Sequence, residues 1–105
     1  AARGIPVCGT ESLGPPTAEL TFGLMLELAR KMGIENARMK AGSRWQTTLG
    51  IDLYGKTLGI IGLGKVGSEV ARRAGENGLG MRLLAHDPYA NPDNARKLNA
   101  ELVSR

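Results

Sequence analysis

The residues best placed to do chemistry lie in one stretch, TLGIIGLGKVGSEVARRAG at 57–75. Gly62, Gly64 and Gly67 form G-x-G-x-x-G behind an apolar run and ahead of a helical pattern. That order of elements lays a dinucleotide's pyrophosphate on a helix N-terminus. Gly62 permits the tight turn off the strand, Gly64 admits the pyrophosphate without a Cβ in the way, and Gly67 brings the helix close to the sheet. The N–H groups of Lys65 and Val66 then sit at the positive end of the helix dipole as donors to an anion. Read from Gly59, the same residues spell G-x-x-x-x-G-K followed by Val66, close to an ATP-type P-loop. A P-loop needs a Ser or Thr hydroxyl there to ligate Mg²⁺, and Val66 has none.

An acid completes the pattern. Asp87 ends a second apolar run, MRLLAHD, 20 residues beyond Gly67, where a carboxylate that accepts from the ribose hydroxyls is expected. A carboxylate at this point favours NAD and repels the 2′-phosphate of NADP by like charge. His86, the single histidine, falls on the adenosine side of such a site, away from a nicotinamide, so no catalytic role is assigned to it. Cys8 has no histidine partner in view and reads as a small buried residue or a loop neighbour of the cofactor rather than a nucleophile.

These residues need elements to hold them. The run GIPVCGT at 4–10 reads as a strand feeding the loop ESLGPP at 11–16. Pro15 and Pro16 suit the first turn of a helix, because that turn does not use their missing N–H. From 17 to about 32 the pattern is helical: Leu20, Leu24, Leu28 and Met32 recur every fourth residue, and Phe22, Met25, Leu26 and Ala29 widen the apolar arc. Such a helix is expected to be mostly buried, against a second domain or a second copy. The segment after it, up to Lys56, reads as a partly helical connector with Trp45 as a packing anchor. TLGIIGL is then a strand covered on both faces, and the following helix turns Val66, Val70 and Ala74 inward and Arg72 and Arg73 outward. MRLLAHD is the second strand, ended by Asp87 and Pro88, and another helix begins at Asn91 or Asp93. Strand, glycine turn, helix and strand make one β-α-β unit, with a right-handed crossover expected.

The chain of 105 residues, 42% hydrophobic, has room for one core. Its net charge of +4 comes from 14 cationic and 10 acidic residues that are interspersed, and only 4% of residues are aromatic. Nucleic-acid binding needs grouped cations and stacking rings, so none is expected. A single cysteine excludes an internal disulfide, no Cys or His pair stands at metal-ligand spacing, and no apolar run is long enough for a bilayer. A cytoplasmic setting is the default. The sequence opens AARGIPV without an initiator Met and closes ELVSR without a terminating element, so it is expected to be a piece of something longer.

Taken together, GIPVCGTESLGPPTAELTFGLMLELAR, a G-x-x-W turn and DLYGKTLGIIGLGKVGSEVARRA with GMRLLAHDPY resemble the D-isomer-specific 2-hydroxyacid dehydrogenases. The resemblance covers about 4–89 and includes the order of helix, Trp turn and strands as well as the glycines. It implies an α/β fold: a partial Rossmann-type doubly wound parallel sheet, its first β-α-β unit preceded by a long apolar interface helix. Residues 1–56 would supply the strand leading in from another domain, the interface helix and the connector, and 57–105 the start of the dinucleotide-binding unit. It implies NAD as cofactor, a 2-hydroxy or 2-keto acid as substrate, and a homodimer through the helix over 20–32. It places Thr10 beside the cofactor, Lys65 and Val66 at the pyrophosphate in place of the common Arg-Ile pair, and Asp87 at the ribose. Lys65 keeps the cation but loses the bidentate fork, which shifts pyrophosphate recognition toward backbone N–H groups. The family's catalytic Arg, acid and His match no residue here, so none is assigned, and the 105 residues alone are expected to be inactive. Two alternatives stay open: an NAD-responsive corepressor-type protein of the same fold, and a truncated remnant that binds nothing.

Overall fold

The computed structural model describes residues 3–11 and 13–104. The first helix, α1 (Gly14–Arg30), has Pro15 and Pro16 in its first turn and no side-chain cap. It stops at Lys31, whose left-handed backbone (φ 54°) lets its N–H donate to the Glu27 carbonyl. A second helix, α2 (Met32–Lys40), starts at once. The helix expected over 17–32 is α1, which stops two residues short, and α2 is the helical part of the connector expected after it; Glu27 and Gly33 hold the junction between them. The Glu27 carboxylate accepts the Gly33 N–H at 2.9 and 3.0 Å, and a Cβ at Gly33 would stand 2.9 Å from that carboxylate. A side chain from the end of α1 thus satisfies an N–H in the first turn of α2.

The sheet is parallel, in the order β1-β2-β3. Strands β1 (Thr57–Ile61) and β2 (Arg82–His86) pair with Thr57 opposite Arg82 and Ile61 opposite His86, so their C-terminal ends are level. Helix α3 (Lys65–Ala74) is the crossover between them. Helix α4 (Pro92–Lys97) is capped by Asn91, whose side chain accepts the Asp93 N–H at 2.9 Å. It leads through Asn99, at φ 52°, into β3 (Ala100–Leu102), which pairs with β2. The sequence suggested two strands of this sheet; the third is too short for its periodicity to show, and the ladder with β2 stabilises it.

Small residues dominate the core: Ala71 and Ala74 of α3, Ala85 of β2, Ala95 of α4 and Ala100 of β3 surround Leu63, Met81 and Leu83. Alanines let the crossover helices approach the sheet closely. Phe22 and Met25 of α1 pack against this core, and α1 lies on α3, where Arg73 reaches both Glu69 at 2.8 Å and Glu19 of α1 at 3.5 Å. Arg73 therefore joins two helices instead of facing away, whereas Arg72 is exposed as expected.

Other expectations need correction. Residues 4–10 form no strand, and Ile5, Val7 and Cys8 are exposed, since no strand among the described residues lies beside them to complete a ladder. β1 is open on one face, with Ile61 89% exposed, because β2 occupies only one of its edges and the helices only one side. Leu20, Leu24, Leu28 and Met32 are exposed, Leu28 at 81%, so the ridge finds no cover among the described residues. Trp45, at 77% exposure, is not the buried packing anchor expected; it lines a shallow cleft with Leu26, Met32 and Met39. Glu35 holds the connector instead: its carboxylate accepts the N–H and hydroxyl groups of both Thr47 and Thr48 at 2.6 to 3.1 Å. Ser12, in the loop expected at 11–16, lies outside the described residues.

Candidate functional site

The level ends of β1 and β2 set the site. The Gly62 N–H donates to the His86 carbonyl at 2.9 Å, the last bond of the ladder, and the chain then turns into α3. Gly62 makes that turn with φ 88°, a conformation that a side chain disfavours. Leu63 follows with its side chain in the core at 4% exposure. Its N–H donates to Asp87 Oδ2 at 2.7 Å, so the strand-end acid and the glycine turn, far apart in sequence, are in direct contact. The other Asp87 oxygen accepts the Tyr89 N–H at 2.8 Å. These bonds from Leu63 and then Tyr89, with a lesser contribution from neighbouring His86, hold the Asp87 carboxyl below its ordinary pKa. Asp87 is an anion at neutral pH whose two oxygens each keep a lone pair for a further donor.

Gly64 and Gly67 differ in what surrounds them. A Cβ built at Gly67 would lie 2.0 Å from the Gly62 carbonyl oxygen, so the start of α3 presses directly on the turn. A Cβ at Gly64 meets nothing within 4 Å, which leaves the mouth of the turn open. The contact at Gly67 has its cause in the turn. A trans peptide is planar with its C=O and N–H opposed; with the Leu63 N–H aimed at Asp87, the Gly62 carbonyl must point back toward Gly67.

Helix α3 has no side-chain cap, and its first internal bond runs from the Ser68 N–H to the Gly64 carbonyl at 2.8 Å. The N–H groups of Val66 and Gly67 precede that bond, so they have no acceptor inside the helix. They share the positive end of its dipole with Lys65. The stem of Lys65 lies along the first residue of α1, where a Cβ at Gly14 would be 3.5 Å from its Cγ. Val66 lines a cleft of about 460 Å³ with Thr21, Met25 and the glycine turn. A second cleft of about 300 Å³ is bounded by Ile61, Gly62, His86, Asp87 and Pro88. His86 turns its Nδ1 to the Val103 carbonyl at 3.1 Å; a carbonyl only accepts, so that nitrogen carries the proton.

Of the sequence candidates, Gly62, Gly64, Lys65, Val66, Gly67 and Asp87 thus gather at one end of the sheet. Thr10 does not join them through any hydrogen bond among the described residues; it lies exposed in the segment before α1. Ser68 and Asn94 were not anticipated. The Ser68 hydroxyl donates to the Leu63 carbonyl at 2.9 Å and accepts from Asn94 Nδ2 at 2.9 Å. Neither residue belongs to a motif, and only the packing of α4 beside α3 brings them together.

A Gly turn with an open mouth, the Val66 and Gly67 amides that have no acceptor inside the helix, and an ionised acid at the next strand end fit a dinucleotide's pyrophosphate and ribose. Residues 22–105 match the family model described as D-isomer specific 2-hydroxyacid dehydrogenase, NAD binding domain. The chain belongs to the D-isomer-specific 2-hydroxyacid dehydrogenases. NAD is the cofactor of the domain family that this chain represents. It is 49% identical to a chloroplastic D-3-phosphoglycerate dehydrogenase of Arabidopsis thaliana over 83% of its own length and 15% of that enzyme's. Its fold matches a D-lactate dehydrogenase from Salmonella at a TM-score of 0.80, with 33% identity, over 91% of this chain and 29% of that one. D-lactate dehydrogenase from Aquifex aeolicus, solved with NAD and lactic acid, matches at 0.76 with 29% identity, over 88% and 27%. The chain therefore spans less than a third of the length of these relatives. No helix among the described residues is long and apolar enough to cross a membrane.

Proposed function

We propose that this chain binds the adenosine and pyrophosphate portion of NAD, as part of a cytoplasmic dehydrogenase that exchanges hydride between NAD and a D-2-hydroxy acid. The observation that carries the proposal is the bond between the Leu63 N–H and Asp87 Oδ2. It joins the phosphate turn to an ionised acid at the end of the next strand. Asp87 accepts from the ribose hydroxyls with its remaining lone pairs. Gly62 shapes the turn, Gly64 leaves room for the pyrophosphate, Gly67 seats the helix, and Lys65 and Val66 bring N–H groups and one cation to the phosphates. NAD supplies the hydride-exchange chemistry; these residues orient it and offset its charge. Residues 57–105 begin the dinucleotide-binding domain, and 1–56 lead into it from another domain, with Thr10 beside the cofactor. The exposed ridge of Leu20, Leu24, Leu28 and Met32 joins two copies in a homodimer.

The test is calorimetric titration of the full chain with NADH and NADPH. Binding of NADH, with NADPH weaker by tenfold or more, is expected, because a 2′-phosphate would face the Asp87 carboxylate. No NADH binding, or equal binding of the two, sinks the proposal.

A further inference from the structure

Leu63 is the residue between the first two glycines, and three separate elements hold it. Its side chain is in the core, its N–H is on Asp87 of the β2 end, and its carbonyl is on Ser68 of α3. The glycines on either side resist backbone rotation least of all residues, so these external bonds must fix the turn. The carbonyl bond has a directional consequence. The Leu63 carbonyl and the Gly64 N–H belong to one planar peptide and point in opposite directions. Holding that carbonyl on the Ser68 hydroxyl, on the helix side, turns the Gly64 N–H toward the open mouth of the turn, where a Cβ at Gly64 would meet nothing.

The hydroxyl proton has only one place to go. A serine has a single O–H; with that proton on the Leu63 carbonyl, only the oxygen's lone pairs face α4. The Asn94 amide donates to them at 2.9 Å. Both side chains are partly buried, which limits competition from water. Asn94 therefore biases the hydroxyl rotor: an amide N–H approaching the oxygen keeps the proton directed at Leu63.

We infer that Ser68 and Asn94 are positioning residues for the pyrophosphate: the chain from Asn94 to Ser68 to the Leu63 carbonyl aims the Gly64 N–H at the phosphate. It rests on the nucleotide-binding function proposed above. Neither side chain touches the ligand. Helix α4, which lies beyond the ribose acid in sequence, thereby influences the phosphate end of the site.

The experiment titrates NADH into the full chain as wild type, Ser68→Ala, Asn94→Ala, the double variant and Ser68→Thr, and follows the Gly64 amide by ¹⁵N–¹H NMR. One directed hydrogen bond corresponds to a two- to tenfold change in Kd, roughly. Ser68→Ala is expected to weaken NADH by about that factor, and Asn94→Ala by less. The double variant should bind no more weakly than Ser68→Ala, since both act through one carbonyl, and Ser68→Thr, which keeps the hydroxyl, should restore binding. The Gly64 amide resonance should move in each Ala variant and return in Ser68→Thr. A merely structural role would lower thermal stability yet leave Kd unchanged well below the melting temperature, and that result overturns the inference. Additive losses in the double variant overturn it as well. If the wild type itself binds no NADH, the nucleotide-binding proposal falls first and this inference with it. Wild-type binding with unaffected variants rejects only the inference.

Discussion

Two glycines three residues apart in one turn meet opposite surroundings, and the difference is measurable. Gly67→Ala places a methyl 2.0 Å from the Gly62 carbonyl oxygen, backbone that cannot move without shifting the turn. Its cost is expected at about 2 to 3 kcal/mol, the upper range for overpacking, read as a fall in melting temperature together with lost NADH binding. Gly64→Ala meets nothing within 4 Å. It should leave the melting temperature nearly unchanged while abolishing NADH binding, since the methyl fills the space kept for the pyrophosphate. If Gly64→Ala binds NADH like wild type, the ligand does not approach there. Asp87 has two partners within the protein as well as the ribose. Asp87→Asn is thus expected to weaken NADH and also to loosen the turn, seen as faster hydrogen exchange at the Leu63 amide.

At the scale of elements, carboxylates join segments that little else connects. Glu35 ties the connector to α2 through Thr47 and Thr48, and Arg38 of α2 also bonds the Thr47 hydroxyl. The Thr48 hydroxyl first, then the Thr47 N–H, lower the Glu35 pKa from 4.5 to about 2. On α3, hydrogen bonding from Arg72 lowers Glu69 from 4.5 to about 2 as well. In both cases the folded pKa lies below the unfolded one. Their contribution to stability is fully present above pH 4.5 and lost as the pH falls toward about 2. The connector should therefore open in acid before the sheet does. Amide exchange at Thr47 and Thr48 is expected to rise below pH 4, roughly, and Glu35→Ala should give the same rise at neutral pH. Equal protection in wild type and Glu35→Ala at pH 7 would show that the clamp is inessential.

Across the whole molecule, large apolar side chains lie at the surface of α1, α2 and the connector, among them Leu24, Leu28, Met39, Trp45 and Leu49. Apolar side chains exposed in such number are a feature that interaction surfaces share. The homodimer proposed above would cover the α1 part of it. Leu24→Lys combined with Leu28→Lys replaces exposed residues only, so the fold should persist and self-association should fall by at least tenfold in sedimentation equilibrium. Circular dichroism of the variant checks the fold. Unchanged association places the contact elsewhere.

The sequence by itself determined the local devices: the glycine turn, β1 and β2, a helix start at Asn91 or Asp93, and the acid 20 residues beyond Gly67. Each of these follows from residue type and short-range spacing, because φ/ψ freedom, missing N–H groups and apolar periodicity act over a few residues. Even the turn between α1 and α2 involves a contact beyond the helix, from Glu27 to Gly33, and the pattern alone carried the first helix on to about Met32. Tertiary structure decided which groups meet. Residues 4–10 have the composition of a strand but no strand to pair with among the described residues, and β3 has little strand signal but gains a partner in β2. Likewise Asn94 reached Ser68, and Asp87 reached Leu63, only after two crossovers aligned the strand ends and set α4 beside α3. Hydrogen bonds depend on distances of about 3 Å, and spacing along a chain does not specify such distances until the chain has folded.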